Sequence, residues 1–194
     1  MTKIIAVTNQ KGGVGKTTTA VNLAASMAMA KKNVLLVDLD PQGNATMGSG
    51  IDKRTIEKSA AHVLLEENDI NQCILYSDTA GYDVLPSNDK LTAAEVGLLE
   101  LRGREFKLAR ALESITKNYD YIFIDSPPSL NMLTVNALVA AQSVIIPTQC
   151  EYYALEGLTA LLGTIERIRQ TANPKLKVEG VLRTMFDPRN NLAN

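Results

Sequence analysis

Tryptophan is missing from the 194 residues, and aromatic residues make up only 5% of them. A surface that stacks single-stranded nucleic-acid bases is therefore not expected. Cysteine is equally sparse. Cys73 and Cys150 lie far apart and have no C-x-x-C partner, which reads as two reduced, mostly buried thiols rather than a disulfide framework or a metal cluster. The single histidine, His62, sits in an irregular, partly polar stretch and carries no catalytic signal. No apolar run reaches membrane-spanning length, and the first residues pass into a strand pattern without a signal peptide. A cytoplasmic protein is expected. A net charge of −1 argues against a strongly electrostatic nucleic-acid binder. The charge is uneven, however. Residues 164–194 hold six basic residues (Arg167, Arg169, Lys175, Lys177, Arg183 and Arg189) against Glu166, Glu179 and Asp187, a net of +3 that leaves −4 for the rest. A bias of this size reads first as a solvated face.

What is present is the ordinary mix of a globular domain, 45% hydrophobic and 21% charged, with enough chain for one sizeable core. Short apolar, β-branched runs recur at residues 3–8, 33–38, 82–86, 121–125, 143–147 and 178–182. Between them lie helical patterns at residues 17–30, 106–118 and 130–141, and a stripe of Leu155, Leu158, Leu161, Leu162, Ile165 and Ile168. Continuous apolar strands alternating with helices predict an α/β fold with a mostly parallel central sheet between two helical layers. Residues 41–81 are the least regular part and read as loops and short helices. Met27, Met29 and Met47 read as core or gap-filling residues. The chain is expected to be a single domain cut short at its C-terminal end, since Arg189–Asn194 follows the last strand pattern with no closing helix.

Parallel sheets bind ligands at the carboxyl ends of their strands. There the first strand runs into Lys11-Gly12-Gly13-Val14-Gly15-Lys16-Thr17-Thr18, which opens a helix. Glycines let backbone N–H groups point at phosphate oxygens without a Cβ in the way, and the helix N-terminus adds unpaired donors and a favourable dipole. Lys16 would neutralise the β and γ phosphates, Thr17 would ligate Mg²⁺, and Thr18 would reach the α phosphate. The usual first glycine of such a loop is replaced by Gln10, and a second lysine, Lys11, stands at the front. Two acids follow strands: Asp40 in Asp38-Leu39-Asp40-Pro41-Gln42-Gly43-Asn44, and Asp125 before Ser126-Pro127-Pro128. Asp125 is assigned to the Mg²⁺ shell, through water, and Asp40 to orienting the attacking water. Either acid alone could simply cap a turn or helix.

Together with Gln149-Cys150-Glu151-Tyr152-Tyr153-Ala154-Leu155-Glu156-Gly157, these blocks resemble the ParA/Soj-type deviant-Walker-A ATPases that segregate chromosomes and plasmids, over nearly the whole chain. The resemblance implies ATP and Mg²⁺ as cofactors and an ATP-bound sandwich homodimer in which Lys11 reaches the partner's phosphates. It further implies non-specific binding of double-stranded DNA with Arg189 among the contacts, a ParB-like protein that stimulates slow hydrolysis, nucleoid association and no membrane. Family members continue beyond the equivalent of residue 194 with further basic residues and an adenine-holding segment. Tyr152 and Tyr153 are open to an interfacial or a packing role. Two other readings share the scaffold. A MinD-type division-site regulator would need a membrane-binding amphipathic helix. An iron–sulfur reductase would need cluster-ligating cysteines, and Cys73 and Cys150 have the wrong surroundings for that.

Overall fold

The computed structural model describes residues 2–150, 154–187 and 189, leaving the side chains of residues 154–156 aside. In chain order the strands are β1 (Lys3–Val7), β2 (Val34–Asp38), β3 (Leu75–Ser77), β4 (Tyr82–Leu85), β5 (Tyr121–Asp125), β6 (Ser143–Gln149) and β7 (Lys177–Thr184). The α-helices are α1 (Lys16–Met29), α2 (Asn44–Gly48), α3 (Ala60–Leu64), α4 (Lys90–Leu98), α5 (Lys107–Glu113), α6 (Met132–Ala140) and α7 (Ala154–Thr171). The strands form one sheet in the order β3-β4-β2-β5-β1-β6-β7, parallel except for the short β3. This is the three-layer arrangement that the alternating pattern predicts.

The two-residue period of the strands decides which helices lie on which face. Ala6, Leu35, Val37, Ile122 and Ile124 point to a core completed by α3, α4, α5, α6 and α7. Ile5, Val7, Leu36 and Phe123 point the other way, under α1, with Ala45 of α2 alongside. β1, β2 and β5 are thus covered on both faces, which is why they read as unbroken apolar runs. β7 differs. It closes one side of the sheet with most of its residues exposed, Val178, Val181 and Leu182 among them.

Several boundaries differ from the sequence pattern. The helix expected to reach Asn118 stops at Glu113. Asn71 Oδ1 takes the Thr116 N–H and hydroxyl at 3.0 and 3.1 Å and draws the chain away from the helix axis. α6 starts at Met132 because the Asn131 side chain caps it, accepting the Thr134 N–H at 3.1 Å. α4 lies in a stretch with no predicted element, yet Leu91, Ala94 and Leu98 fall on one helical face and are all buried. Met29 and Met47, expected as core fillers, are exposed. Both cysteines are free thiols, Cys73 fully buried and Cys150 half-buried. His62 helps to cap α3, accepting the Ser59 N–H through Nδ1 at 3.1 Å.

Candidate functional site

The loop between β1 and α1 is held at both ends. Asn9, buried just after β1, donates from Nδ2 to the Pro147 carbonyl at 2.7 Å and accepts the Lys11 N–H on Oδ1 at 3.0 Å. At the far end the Thr184 hydroxyl, the last residue of β7, donates to the Val14 carbonyl at 2.9 Å. Val14 itself is buried and anchors the loop from below. Gly13 and Gly15 have φ of 73° and 88°, a region open to glycine and strained for other residues. At Gly12 and Gly13 a Cβ would meet nothing within 4 Å, so these residues border open space rather than packed protein.

α1 begins at Lys16 with no side-chain cap on its first turn and no acidic residue there. Its leading N–H groups and the positive end of its dipole are left for a ligand, and an anion suits them. Lys16 Nζ lies over the loop and donates to the Lys11 carbonyl at 3.0 Å. Burial lowers the Lys16 pKa, while Asp125 and Asp40 act in the opposite direction. A buried ammonium beside two acids and a row of backbone donors is a charge arrangement that suits a phosphate group with a cation.

The acids stand beside the loop because the sheet register puts them there. Val7, Asp125 and Asp38 occupy one row across β1, β5 and β2. Asp125 is fully buried, and neither of its carboxylate oxygens has a hydrogen-bond partner. Its pKa is pushed up to about 8, first by burial and next by the charge of Asp38. The Thr17 hydroxyl is close enough to favour the charged form without reaching hydrogen-bond geometry. A bare buried carboxylate next to a hydroxyl and an anion cradle fits a divalent cation that arrives with phosphate. Among the described residues no group of three or more His, Cys, Asp or Glu could hold a metal alone. Mg²⁺ keeps its waters and takes few protein ligands beside substrate phosphate. Asp40 reaches the same space, its Oδ1 accepting the Gln42 N–H at 2.9 Å.

Gly12, Gly13, Gly15, Lys16, Thr17, Thr18 and Asp40 line a cavity of ≈ 400 Å³, closed on other sides by Gln42, Asn44, Pro128 and Met185. The fold therefore brings most of the predicted residues into one space. Lys11 and Val14 belong to the loop but not to the lining, and Asp125 sits beneath it. Arg189 is elsewhere, exposed and paired with Asp187, its Nη2 lying 2.7 Å from Oδ2. The rest of the basic bias is spread out. Arg169 pairs with Glu166 at 3.1 Å, and the Arg183 guanidinium lies 4.8 Å from the Phe186 ring centre. Tyr152 and Tyr153 lie outside the described residues. No described helix is long and apolar enough to cross a membrane. The roles of Asn9 and Thr184 were not read from the sequence. An asparagine at the end of a buried strand, where the loop must turn, was the available signal for Asn9.

Comparison with known proteins gives a consistent result. A family model described as an AAA domain matches residues 2–178. The sporulation initiation inhibitor protein Soj of Bacillus subtilis is 54% identical over 193 residues, spanning 100% of this chain and 76% of that protein. The chromosome partitioning protein ParA of Myxococcus xanthus is 53% identical, spanning 99% of this chain and 68% of that protein. Among solved structures, a Mycobacterium smegmatis protein named cobyrinic acid a,c-diamide synthase, with bound ADP and magnesium, superposes with a TM-score of 0.95 at 43% identity, over 100% of this chain and 78% of that one. The family model covers most of the sequence, and these two curated relatives are more than half identical along nearly all of it. The chain belongs to the Soj/ParA family of P-loop partitioning proteins.

Proposed function

We propose that this chain is a Mg²⁺-dependent DNA-partitioning ATPase of slow intrinsic turnover, acting in chromosome segregation at the nucleoid. The observation that carries the ATPase reading is Asp125. It is a buried carboxylate without a partner, one strand away from the glycine loop that Lys16 and Thr17 close. The partitioning reading rests on the identity to Soj and ParA.

In this reading the N–H groups of Gly12 to Thr18 and the Lys16 ammonium hold the triphosphate. Thr17 and, through water, Asp125 hold Mg²⁺, which when bound neutralises charge developing between the β and γ phosphates. Asp40 orients a water for in-line attack and accepts its proton. Lys11 serves a second subunit. The open space at Gly12 and Gly13 leaves room for a close partner, so that two ATP-bound copies enclose both nucleotides. The γ phosphate then acts as a gate between monomer and dimer. The dimer binds duplex DNA without sequence preference, Arg189 contributing, and a ParB-like partner stimulates hydrolysis and release.

Lys16→Ala tests the loop. Its affinity for ATP should fall by ~100-fold or more, and unchanged affinity by calorimetry rejects the site. Asp40→Ala tests the chemistry. It should bind ATP and accumulate as a dimer in sedimentation while hydrolysis fails. ATP-dependent retention of duplex DNA, measured against salt, tests partitioning, and retention indifferent to ATP would overturn it. A second reading, as an ATP-dependent synthase, follows the name of the mycobacterial protein. It predicts that turnover requires an acid acceptor, whereas the partitioning reading predicts basal hydrolysis without one. A MinD-type membrane regulator predicts ATP-dependent sedimentation with vesicles instead.

A further inference from the structure

The hydrogen bonds behind Asp40 close on themselves. The Asp40 N–H donates to Asp38 Oδ1 at 3.1 Å. The other oxygen of Asp38 accepts the Thr46 hydroxyl at 2.7 Å and the Thr46 N–H at 2.8 Å. The Thr46 oxygen in turn accepts the Ser87 N–H at 2.9 Å. The Ser87 hydroxyl then donates to the Asp40 carbonyl at 2.7 Å, which returns the circuit to its first residue. The ring ties together the end of β2, helix α2 and the segment that follows β4.

All four members are buried. Asp38, Thr46 and Ser87 have no exposed surface, and Asp40 has 8%. Both main-chain polar groups of Asp40 are thereby occupied from behind, while its side chain reaches the nucleotide cavity. The turn that carries it is pressed from the same side. Gly43 donates its N–H to the Asp40 carbonyl at 2.9 Å. It has φ +59°, and a Cβ there would lie 2.8 Å from the Ser87 carbonyl oxygen. Thr46 and Ser87 do not line the cavity, so they act on a reaction there through the residues they hold, and both of them hold Asp40.

We propose that Asp38, Thr46 and Ser87 form a positioning ring that aims the Asp40 carboxylate at the attacking water. This rests on the reading of Asp40 as the residue that orients that water. The ring fixes the main chain on both sides of Asp40, so the carboxylate can move only by its own χ angles. Catalytic geometry is sensitive to this, since a displacement of about 1 Å can cost about 100-fold in rate. Bonds of this kind that served stability alone would change the melting temperature and leave turnover of the folded fraction unaltered.

The test uses Thr46→Val, Thr46→Ser and Ser87→Ala in the whole chain. Thr46→Val keeps the shape of the side chain and removes both hydroxyl bonds. Ser87→Ala removes only the bond to the Asp40 carbonyl, which still accepts from Gly43, so this variant should fold. Single-turnover hydrolysis at saturating ATP and Mg²⁺ should fall by about tenfold or more in both, with ATP affinity within about twofold of wild type. Thr46→Ser should restore the rate. In an Asp40→Ala background, Ser87→Ala should have no further effect on hydrolysis. Wild-type rates in folded Thr46→Val and Ser87→Ala would overturn the ring, as would a loss confined to ATP affinity. Asp40→Ala separates the two levels of the argument. If Asp40→Ala hydrolyses ATP normally, the reading of Asp40 is wrong. If it is inactive while the ring variants are not, only the ring is wrong.

Discussion

Asp38 and Asp125 face each other in register at the carboxyl ends of adjacent strands, and both are completely buried. Their surroundings are opposite. Asp38 receives three donors from its own chain, from Asp40 and twice from Thr46. Asp125 receives none. Burial raises both, Asp38 to about 6 and Asp125 to about 8, and the hydrogen bonds to Asp38 account for part of the difference. One end of the row is finished by folding. The other is left open, in the proposed function for a cation to finish, and the fold bears the cost of keeping an unmatched carboxyl in its interior.

The largest effect should come from Asp125→Ala. Mg²⁺-dependent turnover should fall by ~100-fold or more, while the melting temperature of the nucleotide-free protein stays the same or rises. A variant that fails to fold would make Asp125 a structural residue and remove the contrast. Asp38→Ala should do the reverse. It leaves three buried donors without the two carboxylate oxygens that accept them, at a cost of about 2–5 kcal/mol in urea unfolding. An unchanged midpoint would mean that the ring around Asp40 holds little.

The pH dependence sharpens the same comparison. In the proposed function Asp125 must be charged to hold the Mg²⁺ shell, and with its pKa pushed up to about 8 a proton should leave when Mg²⁺ and nucleotide bind. Affinity should therefore rise with pH by about tenfold per unit and level off above about 8. Calorimetry in buffers of different ionisation enthalpy should register the proton released. Asp125→Asn should remove this pH dependence, and its persistence would assign the proton elsewhere. The smallest effect lies away from both acids. Arg189→Ala should weaken duplex DNA binding only a few-fold and lower the salt slope by about 1, with nucleotide affinity unchanged.

The sequence was most legible where one local rule decides the outcome. The glycine loop, its lysines and the acids at strand ends could be placed on a parallel sheet because each sits at a strand-to-helix switch. The central strands could be read because burial on both faces leaves their middles apolar, with charged residues only at their ends. What escaped were relationships across the chain. Nothing near Thr46 or Ser87 indicates that 41 positions of sequence separate hydrogen-bonded partners. Thr184 reaches Val14 only once β7 is in place. Helix α4 was missed for a different reason. Its Leu91, Ala94 and Leu98 are well spaced, but Val96 and Leu99 on the other side blur the pattern by being apolar and exposed.

β7 has a consequence for handling the protein. Among the described residues it is the border strand of the sheet, eight residues long, and its strand neighbour is β6. A border strand is a place where another polypeptide can add as a strand. Lys177, Glu179 and Arg183 discourage this with charge, but Val178, Val181 and Leu182 lie between them and are exposed. Self-association of the 194-residue chain should therefore start at this border. Light scattering should rise with concentration, and Val181→Lys should suppress the rise while hydrolysis is retained.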